Sequence, residues 1–125
     1  MTDEPRIIPN SDLAAGPPTP GMERRQALAQ DDLWMGEVRT APGTVSGWHH
    51  HGEHTTYGRI LEGHARLEFG PNGEQTIEGG PGDFFVVPPH TVHRESNPGD
   101  EDQLIVLMRV GAGQTVFEAP GPDSE

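Results

Sequence analysis

Seven histidines fall between positions 49 and 93: His49, His50, His51, His54, His64, His90 and His93. Imidazole is the commonest protein ligand for transition metals and titrates near neutral pH. The densest run is Trp48-His49-His50-His51-Gly52-Glu53-His54. On a strand, side chains alternate between faces, so His49 and His51 share one face with Cα atoms about 7 Å apart, and His50 faces the other way. Two imidazoles on one face can close on one metal ion. A third ligand has to come from elsewhere, and His93 is the best placed, between Pro88-Pro89 and Pro98-Gly99 with His90 at the turn before it. A purification tag does not explain an internal run of three. Taken singly, a histidine in a polar β-protein is ordinarily a surface residue. A His-x-His pair with a second histidine-bearing strand favours a ligand set.

Other chemistries are narrowed by composition. The 125-residue chain has no cysteine, which removes thiolate catalysis, disulfides, cysteine zinc sites and iron–sulfur clusters. All its basic residues are arginine, so Schiff-base lysine chemistry is absent as well. Twenty acidic residues against eight basic ones give a formal charge of −12, which opposes contact with nucleic acid or anionic lipid. No apolar run is long enough to span a membrane as a helix. The segment MTDEPRIIPNSD is acidic and lacks the apolar region of a signal peptide, so a cytoplasmic location is expected.

The elements that must position the histidines read as strands. Apolar content is 31%, and 17 Gly and 13 Pro punctuate short apolar runs from Leu28 to Val116. The runs are Met22–Ala29, Leu33–Thr40, Val45–His51, Tyr57–Glu62, Ala65–Phe69, Gln75–Glu78, Asp83–Val87, Val92–Asn97, Leu104–Val110 and Gln114–Glu118. No stretch holds a helical period over ten positions without Gly or Pro. An all-β domain at 22–118 is therefore expected, a closed barrel or a sandwich of two sheets. Residues 1–21, rich in proline, read as an extended or partly disordered arm, and 119–125 as a loose tail. By strand parity Tyr57 and Arg59 face away from Thr56, Gly58 and Ile60, and Trp48 faces outward with His50. Glu95 shares parity with His93 and is expected to orient a ligand, act as a base or pair with an arginine at the rim. Arg24 and Arg25 read as surface charge. Phe84 to Val87 and Leu104 to Met108 are apolar on both faces, as expected of strands covered on both sides.

Two stretches resemble the motifs of the cupin superfamily. The first motif, G-x5-H-x-H-x(3,4)-E-x6-G, is matched by Gly43, His49, His51 and Gly63. The second, G-x5-P-x-G-x2-H-x3-N, is matched by Gly82, Pro88, His93 and Asn97. Thr56 stands where the first motif has glutamate, and His90 stands where the second has glycine. The resemblance covers residues 43–97 closely and identifies a small single-domain cupin of the conserved-barrel (cupin 2) type. It implies a double-stranded β-helix or jelly roll of two antiparallel sheets, with a metal held inside by His49, His51 and His93. His54 is the reserve candidate for a fourth ligand.

A ring of three neutral histidines leaves a divalent ion its full charge and open positions. Iron or copper would support dioxygen chemistry; zinc, nickel or manganese would polarise a carbonyl or activate water. The expected function is an enzyme acting on a small molecule, either dioxygenase-like or a lyase or isomerase, with no catalytic residue assigned. The alternatives are a non-catalytic small-molecule binder or sensor, and a metal with a purely structural role. A homodimer is expected, because exposed sheet edges need cover.

Overall fold

The computed structural model describes residues 4–113 and 116–119. Eleven strands form in chain order: β1 (Ala14–Ala15), β2 (Met22–Gln30), β3 (Leu33–Thr40), β4 (His49–His50), β5 (Thr55–Glu62), β6 (Ala65–Phe69), β7 (Gln75–Gly79), β8 (Phe84–Val87), β9 (His93–Ser96), β10 (Gln103–Val110) and β11 (Phe117–Glu118). They make two antiparallel sheets, one ordered β1-β2-β3-β10-β5-β8 and the other β11-β4-β9-β6-β7. No α-helix occurs among the described residues, only a 3-10 turn at Asn10–Asp12. The two-sheet architecture expected from the punctuated apolar runs is present.

Alternation along the strands sets the interior. Gln103, Ile105, Leu107 and Arg109 of β10 face the same side as Val38 and Thr40 of β3, Thr56 and Ile60 of β5, and Val87 of β8. Met22, Val38 and Leu107 form the packed centre, with Trp34 and Ile105 against them. Gly58 lies among the inward positions because a Cβ there would come within 2.3 Å of the Phe85 ring. The glycine makes way for a bulky neighbour on the adjacent strand.

The Val45–His51 strand contracts to His49–His50, with an isolated bridge between Val45 and Ser96. The Ser46 hydroxyl accepts from the Glu95 N–H at 3.0 Å, so a side chain replaces a carbonyl in the ladder. Within the arm a short strand, β1, pairs with β2 through Ala14↔Gln26 and Ala15↔Arg25. Of the last expected strand, Phe117–Glu118 is observed, while residues 114 and 115, like residues 1–3 and the tail at 120–125, lie outside the described residues.

The outer faces contrast. On the five-stranded sheet the Arg94 guanidinium lies 4.7 Å from the centre of the Trp48 ring and makes a two-pronged pair with Glu68, its Nη2 at 2.9 Å. The outward Trp48 is therefore covered within the chain. On the six-stranded sheet Arg59 lies 4.9 Å from the centre of the Phe84 ring, yet Phe84 remains 75% exposed, and Val86, Tyr57 and Met108 are open to solvent in the single chain. The both-sided burial expected of β8 and β10 is thus realised on the inner face alone.

Candidate metal centre

The register of β4 and β9 sets His49 directly opposite His93. His51 follows His49 on the same side, and the three rings converge with centroids 4.4 to 5.2 Å apart. One nitrogen from each lies within 4.8 Å of the others. His51 and His93 are buried, and His49 is half-buried.

Hydrogen bonds orient two of these rings. His49 Nδ1 meets the Gly47 carbonyl at 2.8 Å, and His93 Nδ1 meets the Thr91 carbonyl at 2.9 Å. A carbonyl only accepts, so each ring carries a proton on Nδ1, which leaves Nε2 as the atom that can face a metal. This second layer of contacts is the kind that fixes the tautomer of metal-binding histidines. Burial pushes the His93 pKa below its ordinary value of 6.5, against the opposing pull of Glu95 and the Thr91 hydrogen bond; His49 and Arg109 push it further down. A neutral imidazole is the form that binds a metal. Three neutral nitrogen donors in this arrangement fit a divalent transition-metal ion.

The cluster borders a cavity of about 350 Å³. His51, His93, Thr56, Glu95 and Arg109 line it on the histidine side. Val38, Ile60, Leu107 and Phe85 make much of the remaining wall. Glu95 Oε2 lies 3.8 Å from His93 Nε2, so this carboxylate stands beside the donor face of the cluster. It forms no ion pair with an arginine among the described residues, and the expected rim pairing gives way to a position on the cavity wall. Arg109 Nε donates to the Thr56 hydroxyl at 3.4 Å, across the β10–β5 pair in which the two residues are direct partners.

The other histidines stay apart from the three. His54 is buried, but its Nδ1 and its backbone N–H both turn back to the His51 carbonyl. It lies on the buried side with Thr56, and the group of mutually close donors does not include it. His50 points outward, as its parity requires, and stacks on Phe117 with centroids 4.8 Å apart. His90 meets Glu53 Oε1 at 2.8 Å. It adopts φ +58°, the left-handed conformation for which the motif uses glycine. His64 is exposed. Arg24, read as surface charge, instead lines the cavity. Arg25 does pair at the surface, with Glu37 at 2.9 Å. Arg109 was not foreseen, although one signal was available. It is the charge that interrupts the apolar run of β10, at the parity of Ile105 and Leu107.

Comparison with known proteins agrees with this fold. The chain is similar to KdgF from Halomonas sp., at 25% identity and TM-score 0.68 over 86% of this chain and 94% of that one. It is similar to a conserved double-stranded β-helix protein from Klebsiella pneumoniae, at 21% identity and TM-score 0.73 over 93% and 98%. A cupin sugar phosphate isomerase from Silicibacter pomeroyi shares the fold at 16% identity and TM-score 0.72 over 91% and 82%. No curated protein shows significant similarity to the chain. The model of the Cupin_2 family, described as a cupin domain, matches residues 36–110. That span runs from within β3 to the end of β10 and contains both histidine-bearing segments, and the chain belongs to this family.

Proposed function

We propose that the protein is a metal-dependent enzyme acting on a small molecule held in the cavity beside His49, His51 and His93. The observation that carries this reading is the convergence of three donor nitrogens within 4.8 Å, two of them from residues that line a cavity of ligand size. A divalent ion bound there would supply Lewis acidity or, if redox-active, oxygen chemistry. The chain's own residues do the rest. Glu95 stands on the wall beside His93, where a carboxylate can take or return a proton. The Thr56 hydroxyl accepts from Arg109 and keeps its own hydrogen for a ligand. The apolar wall excludes water from the ligand's body.

Two reaction classes follow, oxygenase and lyase or isomerase, and the metal divides them. Elemental analysis of untagged wild type and His51→Ala makes the first cut. Iron or copper near one per chain, lost in the variant, leads to oxygen-uptake assays with chelating substrates. Zinc, nickel or manganese leads to elimination and isomerisation assays. No metal in either protein after reconstitution overturns the reading. The alternative, a non-catalytic small-molecule binder, is favoured by the scarcity of acid–base groups beside the cluster, where Glu95 is the carboxylate. Turnover in any of these assays removes that alternative.

The open apolar face carrying Phe84, Val86, Tyr57 and Met108 supports a homodimer through the six-stranded sheet. Sedimentation equilibrium tests it: Phe84→Glu is expected to shift the protein to monomer.

A further inference from the structure

Arg109 is a guanidinium on the wall of a largely apolar cavity. Its single hydrogen bond among the described residues goes to a neutral hydroxyl, that of Thr56, at 3.4 Å. Four of the eight arginines pair with carboxylates among the described residues: Arg25 with Glu37, Arg39 with Glu62 and Asp102, Arg66 with Glu78, and Arg94 with Glu68. Arg109 forms no such pair among the described residues. Neither does Arg24, which faces the same cavity and makes hydrogen bonds to the Pro17 carbonyl and the Thr19 hydroxyl. A guanidinium does not shed its proton to escape burial, so a poorly solvated one with no anion in direct contact carries a standing penalty.

The origin of that penalty is visible in the register. Thr56 is the residue directly opposite Arg109. It is also the position at which the first motif has glutamate. A carboxylate at 56 would face the guanidinium across the strand pair and neutralise it; threonine cannot. The donor set of His49, His51 and His93 is neutral too. On this side of the cavity the carboxylate is Glu95, 3.8 Å from His93; it also acts on Arg109 through space and offsets part of the cost of its burial, without a direct ion pair.

We infer that the ligand of this cavity is a small organic carboxylate with a largely apolar body, and that Arg109 binds its carboxylate in the place left by the missing glutamate at position 56. The inference deepens the reading of the cavity as a small-molecule site, but it does not depend on a bound metal. A planar guanidinium can meet a carboxylate through two parallel hydrogen bonds, which gives orientation as well as attraction. Val38, Ile60, Leu107 and Phe85 then enclose the body of the ligand. The chain's charge of −12 works against a general attraction for anions, so selection falls to this local pair of arginines.

Isothermal titration of chelator-treated, metal-free protein tests the inference with matched acids and amides. The pairs are acetate with acetamide, hexanoate with hexanamide, and phenylacetate with phenylacetamide. In wild type at least one acid is expected to bind about tenfold or more tightly than its amide. Arg109→Gln is expected to bring that ratio close to one. Thr56→Glu, which keeps the arginine and supplies an internal carboxylate, is expected to do the same. It serves alone if Arg109→Gln fails to fold, as judged by thermal melting. A wild-type protein that prefers none of the three acids, or variants that keep the preference, overturn the inference. The elemental analysis is scored separately. Metal without acid preference sinks this inference alone, and acid preference without metal sinks the metal reading alone.

Discussion

His49 and His50 are neighbours in sequence and meet opposite conditions. His49 turns its ring against His51 and His93, with Nδ1 tied to a backbone carbonyl and Nε2 free. His50 stacks flat on Phe117, and its Nδ1 accepts from the Gly52 N–H at 3.0 Å. Next to it His90 is held by Glu53. The inner group holds three imidazoles and the outer one two, His50 and His90, with centroids 6.0 Å apart. Only the inner one aims lone pairs at a common point in buried surroundings. A binding site is made by that convergence, and density of histidine along the chain does not produce it.

The strongest way to break the contrast is to remove a member of each group. His51→Ala or His93→Ala is expected to weaken metal binding by at least about 100-fold, read by elemental analysis after dialysis against excess ion. His50→Ala should leave the stoichiometry unchanged. If His50→Ala lost the metal as well, the two groups would not be functionally distinct.

A second effect is stabilisation by the ion. At a free concentration 1,000 times the dissociation constant, binding to the folded state adds about 4 kcal/mol. Zinc should therefore raise the melting temperature of wild type and leave that of His51→Ala where it was. An equal rise in both would place the binding outside the inner group.

Acid provides a smaller lever. The His93 pKa is lowered in the folded protein, so the unfolded chain takes up the proton first as pH falls below 6.5. Stability contributed by neutral His93 is complete above that pH and declines below it, until the lower folded value is reached. For one proton the slope is at most about 1.4 kcal/mol per pH unit. Urea unfolding of metal-free protein between pH 7.5 and 5 should show this loss, and His93→Gln should reduce it. A wild-type curve flat across that range would contradict the buried, neutral state.

The smallest change is expected on the outside. His90→Gly relieves a left-handed conformation but gives up the contact with Glu53 and loosens the unfolded chain, so the net shift should stay within about 1 kcal/mol. Metal content should not respond. A loss of metal would tie the turn at His90 to the inner group.

Much of this contrast was legible in the sequence, and for a simple reason. Strand parity assigns His49 and His51 to one face and His50 to the other without any knowledge of the fold. The same rule separated Tyr57 and Arg59 from Thr56 and Ile60, and the motif spacing brought in His93. What failed to show was whatever depends on an interruption of regular pairing. His54 does share the buried side with Thr56, but its ring is drawn back to the His51 carbonyl by a contact that alternation does not encode. The shortening of β4 depends on a serine side chain entering the ladder. Arg24 and Arg109 were passed over because charge on a strand is ordinarily solvated. Only the register of β10 against β5 shows that Arg109 faces a threonine.

The brevity of β4 has a mechanical consequence. This two-residue strand meets β9 through the single pair His49↔His93 and touches β11 on its other side. By contrast, β10 is zipped along its whole length to β3 and β5. At the histidines the seam between the two segments is held by that one pair, the other links lying at residues 43–46, and an ion shared by His49 and His93 would rivet it across two distant parts of the chain. Without the ion, amide hydrogens around residues 49–54 should exchange well ahead of those in β10. With it, the two regions should exchange more nearly together. Occupancy and stiffness at this end of the barrel would then be a single variable, and the exchange pattern of the backbone would report whether the site is filled.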